Sequence, residues 1–154
     1  MTNVELKKYY FGAYFFEETE DGYLQAFQYS KPQMEYFRGA FDFWYDRCIA
    51  TTAKTIEFTT KATEISFDFK FAWRGSEDSF ELWIDGLATE IAYVKDLQDE
   101  GSISWTMPAG EKQVIIYLPA DATVLLKNFT INGEAQPAAK AEKVLWLGDS
   151  ITQG

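Results

Sequence analysis

The residues best placed to do chemistry are Gly148, Asp149 and Ser150, which follow the apolar run Val144–Leu147 in the string KVLWLGDSITQG, residues 143–154. An unbroken apolar run of this kind reads as a strand covered on both faces, as in a parallel sheet. Gly148 permits a sharp turn at the strand's carboxyl end, where open α/β sheets place their ligands. Ser150 would then open the following helix, where unpaired backbone N–H groups and the helix dipole favour a developing oxyanion. That is the setting for nucleophilic acyl transfer. A helix-capping serine with no chemistry gives the same local pattern. A serine hydroxyl is also a poor nucleophile without a base to take its proton, and the sequence contains no histidine. The chain by itself is therefore expected to be inactive.

The longer string LGDSITQG, residues 147–154, resembles the first sequence block of the SGNH hydrolases, the GDSL-type esterases and lipases. The resemblance implies that Ser150 is the nucleophile and that its backbone N–H is one oxyanion donor. Asp149 fills the motif's acidic position, which is distinct from the triad acid. A later glycine and asparagine supply the other oxyanion donors in that family, and a His and an Asp near the end of the domain complete the triad. None of those blocks is present, so the chain is expected to stop just inside a truncated catalytic domain, which is its missing partner. Some bacterial members, acetyl-xylan and related carbohydrate esterases among them, carry an N-terminal jelly roll directly before the catalytic domain. RCIATTAKTIEF (47–58), ELWIDG (81–86) and GEKQVIIYLP (110–119) resemble that accessory domain. By this resemblance the parent is a serine esterase that removes acetyl or other short acyl groups from carbohydrates.

The elements ahead of the serine fit such a domain. Residues 63–73, TEISFDFKFAW, alternate with Ile65, Phe67, Phe69, Phe71 and Trp73 on one face, the period of a half-buried strand. SFELWID (79–85), KQVIIYL (112–118) and TVLLKNFTI (123–131) continue the pattern, the last slipping near Lys127 as at a bulge. Further strands are expected at 9–16, 23–29, 36–45 and 55–60, and 90–98 as a strand followed by a loop. No stretch before residue 135 shows a helical apolar stripe. About eight to ten short strands with turn signals between them predict an all-β fold, an antiparallel β-sandwich of the jelly-roll kind. Residues 134–142, EAQPAAKAE, have linker composition. We therefore expect a sandwich over 1–137, a linker over 138–142, and the first strand of an α/β domain from 143.

Composition narrows the partners. Acidic residues outnumber basic ones 24 to 14 and net charge is −10, which repels nucleic acid and anionic lipid and leaves neutral substrates open. One cysteine, Cys48, excludes an internal disulfide framework and reads as a small core residue. The absence of a leader-like segment or a membrane-length apolar run predicts a cytoplasmic chain, with secretion open if a signal was removed. Asn128-Phe129-Thr130 matches a glycosylation sequon and reads as coincidence. No grouping reads as a metal site and no cofactor is expected.

If the sandwich binds carbohydrate, exposed aromatics must do it. In FDFWYD (41–46), strand alternation would leave Trp44 between Asp42 and Asp46, and Trp83 stands likewise between Glu81 and Asp85. Both read as sugar platforms, or as faces that pack on a second domain. Trp73 at a strand end and Trp105 are weaker candidates. Arg47 either reaches a ligand or pairs with a nearby carboxylate. The alternative function is thus a carbohydrate-binding sandwich without catalysis.

Overall fold

The computed structural model describes residues 2–75 and 77–139; Gly148, Asp149 and Ser150 lie outside them, as do most of the expected linker and all of the expected first catalytic strand. The described residues form two antiparallel sheets packed face to face. One has the order β1 (Tyr10–Phe11), β4 (Thr55–Thr60), β9 (Lys112–Tyr117), β6 (Ser79–Ile84), β7 (Leu87–Tyr93), with β11 (Ala135–Pro137) also paired to β4. The other runs β2 (Phe15–Glu18), β3 (Leu24–Phe27), β10 (Ala122–Ile131), β5 (Glu64–Arg74), β8 (Glu100–Thr106). The fold is an all-β sandwich, as the alternation predicts.

The core comes from the inward faces of these strands. Phe67 is its centre, stacked on Phe129 at a centroid separation of 5.8 Å and meeting Trp105 edge-on at 5.7 Å. Phe58, Phe69, Phe80, Leu82, Val114 and Ile116 surround it, each fully buried. Rings meeting edge-on or offset fill an interior densely and add specific contacts to the burial energy. Trp105 belongs to this core and is no surface platform.

Two sequence expectations are corrected. The expected strand over 9–16 divides at Gly12, whose φ of +75° carries the chain from one sheet to the other. A Cβ there would stand 2.2 Å from the Ala53 carbonyl oxygen, so glycine is required both for the turn and for the close approach. The expected strand over 36–45 is instead a helical pair, α2 (Lys31–Ala40) and α3 (Asp42–Ile49). Ser30 precedes α2, its backbone N–H bonded to Gln33 Oε1 at 2.9 Å, and Pro32 lies in the first turn. Those are helix-start signals. The pair buries Met34 and Cys48 against Phe27, so Cys48 is the core residue expected, and burial pushes its thiol pKa up. Ala135–Pro137, within the span expected for the sandwich, pairs with β4 although its composition is linker-like.

The slip expected near Lys127 is present: the β10–β5 register shifts between Lys127 and Thr130, and Asn128 takes a φ of +52°. No helix among the described residues is long and apolar enough to cross a membrane.

Candidate functional site

The helical turn of α3 reassigns its side chains. Residues two apart on a helix do not face one another, whereas residues four apart do. Trp44, 60% exposed, is therefore not framed by Asp42 and Asp46 as it would be on a strand. Phe43 and Arg47 come together instead, the guanidinium 5.2 Å from the Phe43 ring centroid.

Arg47 also lies 5.1 Å from the Trp73 ring, which belongs to the end of β5. The alternation of β5 alone would place Trp73 inside with Phe67, Phe69 and Phe71. In the ladder with β10, however, Phe71 stands opposite Val124 and Trp73 opposite Thr123, so Ala72 is an extra residue. This bulge re-aims the strand end, and Trp73 emerges 44% exposed. Phe43, Asp46, Arg47, Ile49, Trp73 and Thr123 then border a cleft of about 310 Å³.

Several bonds fix its walls. Arg47 Nη1 is 2.9 Å from Asp121 Oδ1, the ion pair the sequence offered as one role for Arg47. Among the described residues Asp121 is its hydrogen-bond partner, which leaves most of the guanidinium's donors open. Asp121 is itself held from behind, its N–H donating to Asp78 Oδ2 at 2.5 Å and its carbonyl accepting from the Gly75 N–H at 2.8 Å. The chain after α3 is clamped to the same loop by Thr51, which donates its hydroxyl to the Pro119 and Ala122 carbonyls, and by Thr52, which donates to Ala120. Thr123 lies beneath, its hydroxyl buried and, among the described residues, without a hydrogen-bond partner.

Deeper in the same end, Lys54 is 1% exposed and its ammonium donates to the Ala50 carbonyl. Burial pulls its pKa down to about 8, partly opposed by Cys48.

Trp83 is elsewhere, on the outer face of β6. Its Nε1 donates to Glu81 Oε2 at 2.8 Å and its ring meets Tyr117 edge-on at 5.4 Å. The β6–β7 and β6–β9 registers align Ile91 and Tyr117 with Glu81, Ile115 with Trp83, and Tyr93 with Ser79. Trp83 is thus half-buried within an apolar surface that includes Ile91 at 46%, Tyr93 at 50% and Tyr117 at 39% exposure. On the same outer face of β4, Thr55 and Glu57 are buried, Thr55 Oγ1 donating to Glu57 Oε1 at 2.6 Å. Among the described residues no three Cys, Asp or Glu side chains group as metal ligands.

The structure therefore joins Arg47 to Trp73, a weaker candidate from the sequence, and to Phe43, which the sequence does not single out. It leaves Trp44 outside the cleft's lining and Trp83 on another face. The signal for the helices was the pairing of Ser30 with Gln33 around Pro32; no sequence signal marked the bulge at Ala72.

No family model matches the sequence, and no curated protein does. Among solved structures, the fold is similar to a salicylyl-acyltransferase, SsfX3, from a tetracycline biosynthetic pathway, at 18% identity and a TM-score of 0.68. That likeness covers 87% of this chain and 39% of the acyltransferase, so the chain spans about two fifths of its length. A family two carbohydrate esterase from Clostridium thermocellum, solved with cellohexaose, aligns at 20% identity and a TM-score of 0.46, over 59% of this chain and 28% of the esterase. An acetyl xylan esterase from Butyrivibrio proteoclasticus aligns at 20% identity and a TM-score of 0.42, over 56% and 25%.

Proposed function

We propose that this chain is the N-terminal accessory sandwich of an SGNH-type serine esterase, joined through residues 138–142 to the start of the catalytic domain at 143–154. The observation that carries the reading is LGDSITQG, with Ser150 where the family places its nucleophile, after an apolar run in the sequence and a sandwich. The strand order supports it. β3-β10-β5-β8 against β4-β9-β6-β7 is the arrangement of eight strands in two interleaved Greek keys, a jelly roll. The solved chain with the same fold is named for acyl transfer, the reaction class that Ser150 would perform.

In this reading Ser150 Oγ gives its proton to the base as it attacks the ester carbonyl, and its backbone N–H donates to the developing oxyanion. The sugar alcohol leaves with that proton, and water then hydrolyses the acyl-enzyme to the carboxylic acid and free Ser150. The base must come from beyond this sequence, which has no histidine. The substrate we infer is a carbohydrate ester with a short acyl group, since a chain of net charge −10 favours a neutral substrate. The apolar surface around Trp83 and Tyr117 would dock the catalytic domain, keeping large apolar area out of water.

The test is labelling with a fluorophosphonate probe of the polypeptide encoded through and beyond Gly154. The expected result is one adduct, on Ser150, in a protein whose continuation contains an Asp-x-x-His near the end of its catalytic domain. An adduct on another serine, or a continuation without that His, contradicts the proposal.

A further inference from the structure

We propose that the cleft between α3 and the ends of β5 and β10 is a binding site for a neutral sugar ring, stacked against Trp73 and Phe43 and hydrogen-bonded by Arg47 and Asp46. The inference does not depend on Ser150 or on the esterase reading.

Two exposed rings flank a concavity of about 310 Å³, at the small end of ligand pockets and suited to a hexose-sized unit. Arg47 lies over one face of each ring, so the C–H face of a pyranose meets the ring surface that the guanidinium leaves exposed. The guanidinium, bonded among the described residues to Asp121, has donors to spare. Asp46, one residue away on the same wall, supplies acceptors. A donor fork beside an acceptor matches adjacent sugar hydroxyls, which both give and receive hydrogen bonds.

Charge selects the ligand class. The Arg47 cation is already answered by Asp121 at 2.9 Å, and Asp46 adds a second carboxylate, so the cleft has no surplus positive charge for a phosphate, sulfate or uronate.

The walls are also set in advance. Arg47 is held by Phe43, Trp73 and Asp121 together; Asp121 is held by Gly75 and Asp78; Trp73 is held by the Ala72 bulge. A site ordered before the ligand arrives pays less entropy on binding.

Affinity electrophoresis of the 154-residue chain tests this, in native gels containing arabinoxylan, glucomannan, hydroxyethylcellulose or polygalacturonate. The expected result is retardation in at least one neutral gel and none in polygalacturonate. Trp73→Ala should weaken the apparent affinity about tenfold or more, as loss of a central aromatic anchor does, while Trp83→Ala should leave it unchanged. Arg47→Lys keeps the charge and loses the fork, and it should also weaken binding, so the outcome does not hang on the folding of one variant. Lack of retardation in every neutral gel, retention unaffected by both cleft variants, or preference for polygalacturonate would each overturn the proposal.

Discussion

Trp73 stands opposite Thr123 across the β5–β10 ladder, although Phe71, two residues earlier, stands opposite Val124. The extra residue, Ala72, turns an indole that would have joined the core out to the surface beside Arg47. It also leaves Thr123 buried with its hydroxyl unbonded. An unsatisfied buried hydroxyl costs on the order of 1–3 kcal/mol. Thr123→Val, which keeps the shape and removes the hydroxyl, should therefore hold or raise stability in urea by up to about that amount. A loss above about 1 kcal/mol would show that the hydroxyl has a bonding partner in solution.

The loop bearing Asp121 should depend on Gly75 more than on its ion pair. A Cβ at Gly75 would lie 2.6 Å from Asp121 Oδ2 and 2.8 Å from its backbone oxygen, and the backbone cannot swing aside as a side chain can. Gly75→Ala should cost about 1–3 kcal/mol. Asp121→Asn should cost less than about 1 kcal/mol, because both partners of the Arg47 pair are more than half exposed. Urea melts of the two variants check the ranking, and the reverse order would contradict this account of the loop.

Lys54 sets a pH dependence. Its pKa is about 8 when folded against 10.5 when free, so between these values the unfolded chain binds more protons. The Lys54 contribution to stability then rises with pH across about 8 to 10.5, where the penalty of a buried charge is relieved, while Cys48 and Tyr10, whose pKa values burial raises, contribute in the opposite sense. The gain is on the order of a few kcal/mol at most. Lys54→Met should flatten that rise. A slope unchanged between the wild type and Lys54→Met through this window would contradict a Lys54 pKa lowered by burial.

The surface around Trp83 separates docking from simple exposure. Ile91→Ser with Tyr93→Ser removes apolar side chains about half exposed here. Melting of the 154-residue chain should shift little, within about 0.5 kcal/mol per site. The longer encoded polypeptide should lose distinctly more, because an interface is lost. Equal losses in both would place no domain on this face.

Much of this architecture is written in the alternation of the chain. β6 and β9 fall within about a residue of their expected spans, because the inward face of each is buried and a period of two is the signal; β4, buried on both faces, also matches its span. The helical pair was hidden by composition. Phe41, Phe43, Trp44 and Tyr45 favour strands by type, and Phe41, Phe43 and Tyr45 alternate by accident, while packing of Met34 and Cys48 on Phe27 decides for helix. On a strand Trp44 would be the platform, whereas on the helix Phe43 and Arg47, one turn apart, form the wall. Trp73 looked buried because a bulge depends on the partner strand, which no local window contains.

The role proposed for Ser150 is that of nucleophile in an acyl-transfer enzyme for which this sandwich is the accessory domain. It is tested most directly by hydrolysis of p-nitrophenyl acetate by the polypeptide encoded through and beyond Gly154, beside its Ser150→Ala variant and the 154-residue chain. The account predicts turnover by the longer polypeptide, a loss of at least about a thousandfold on Ser150→Ala, and no activity in the 154-residue chain. Activity that survives Ser150→Ala, or that is already present in the histidine-free chain, would contradict it.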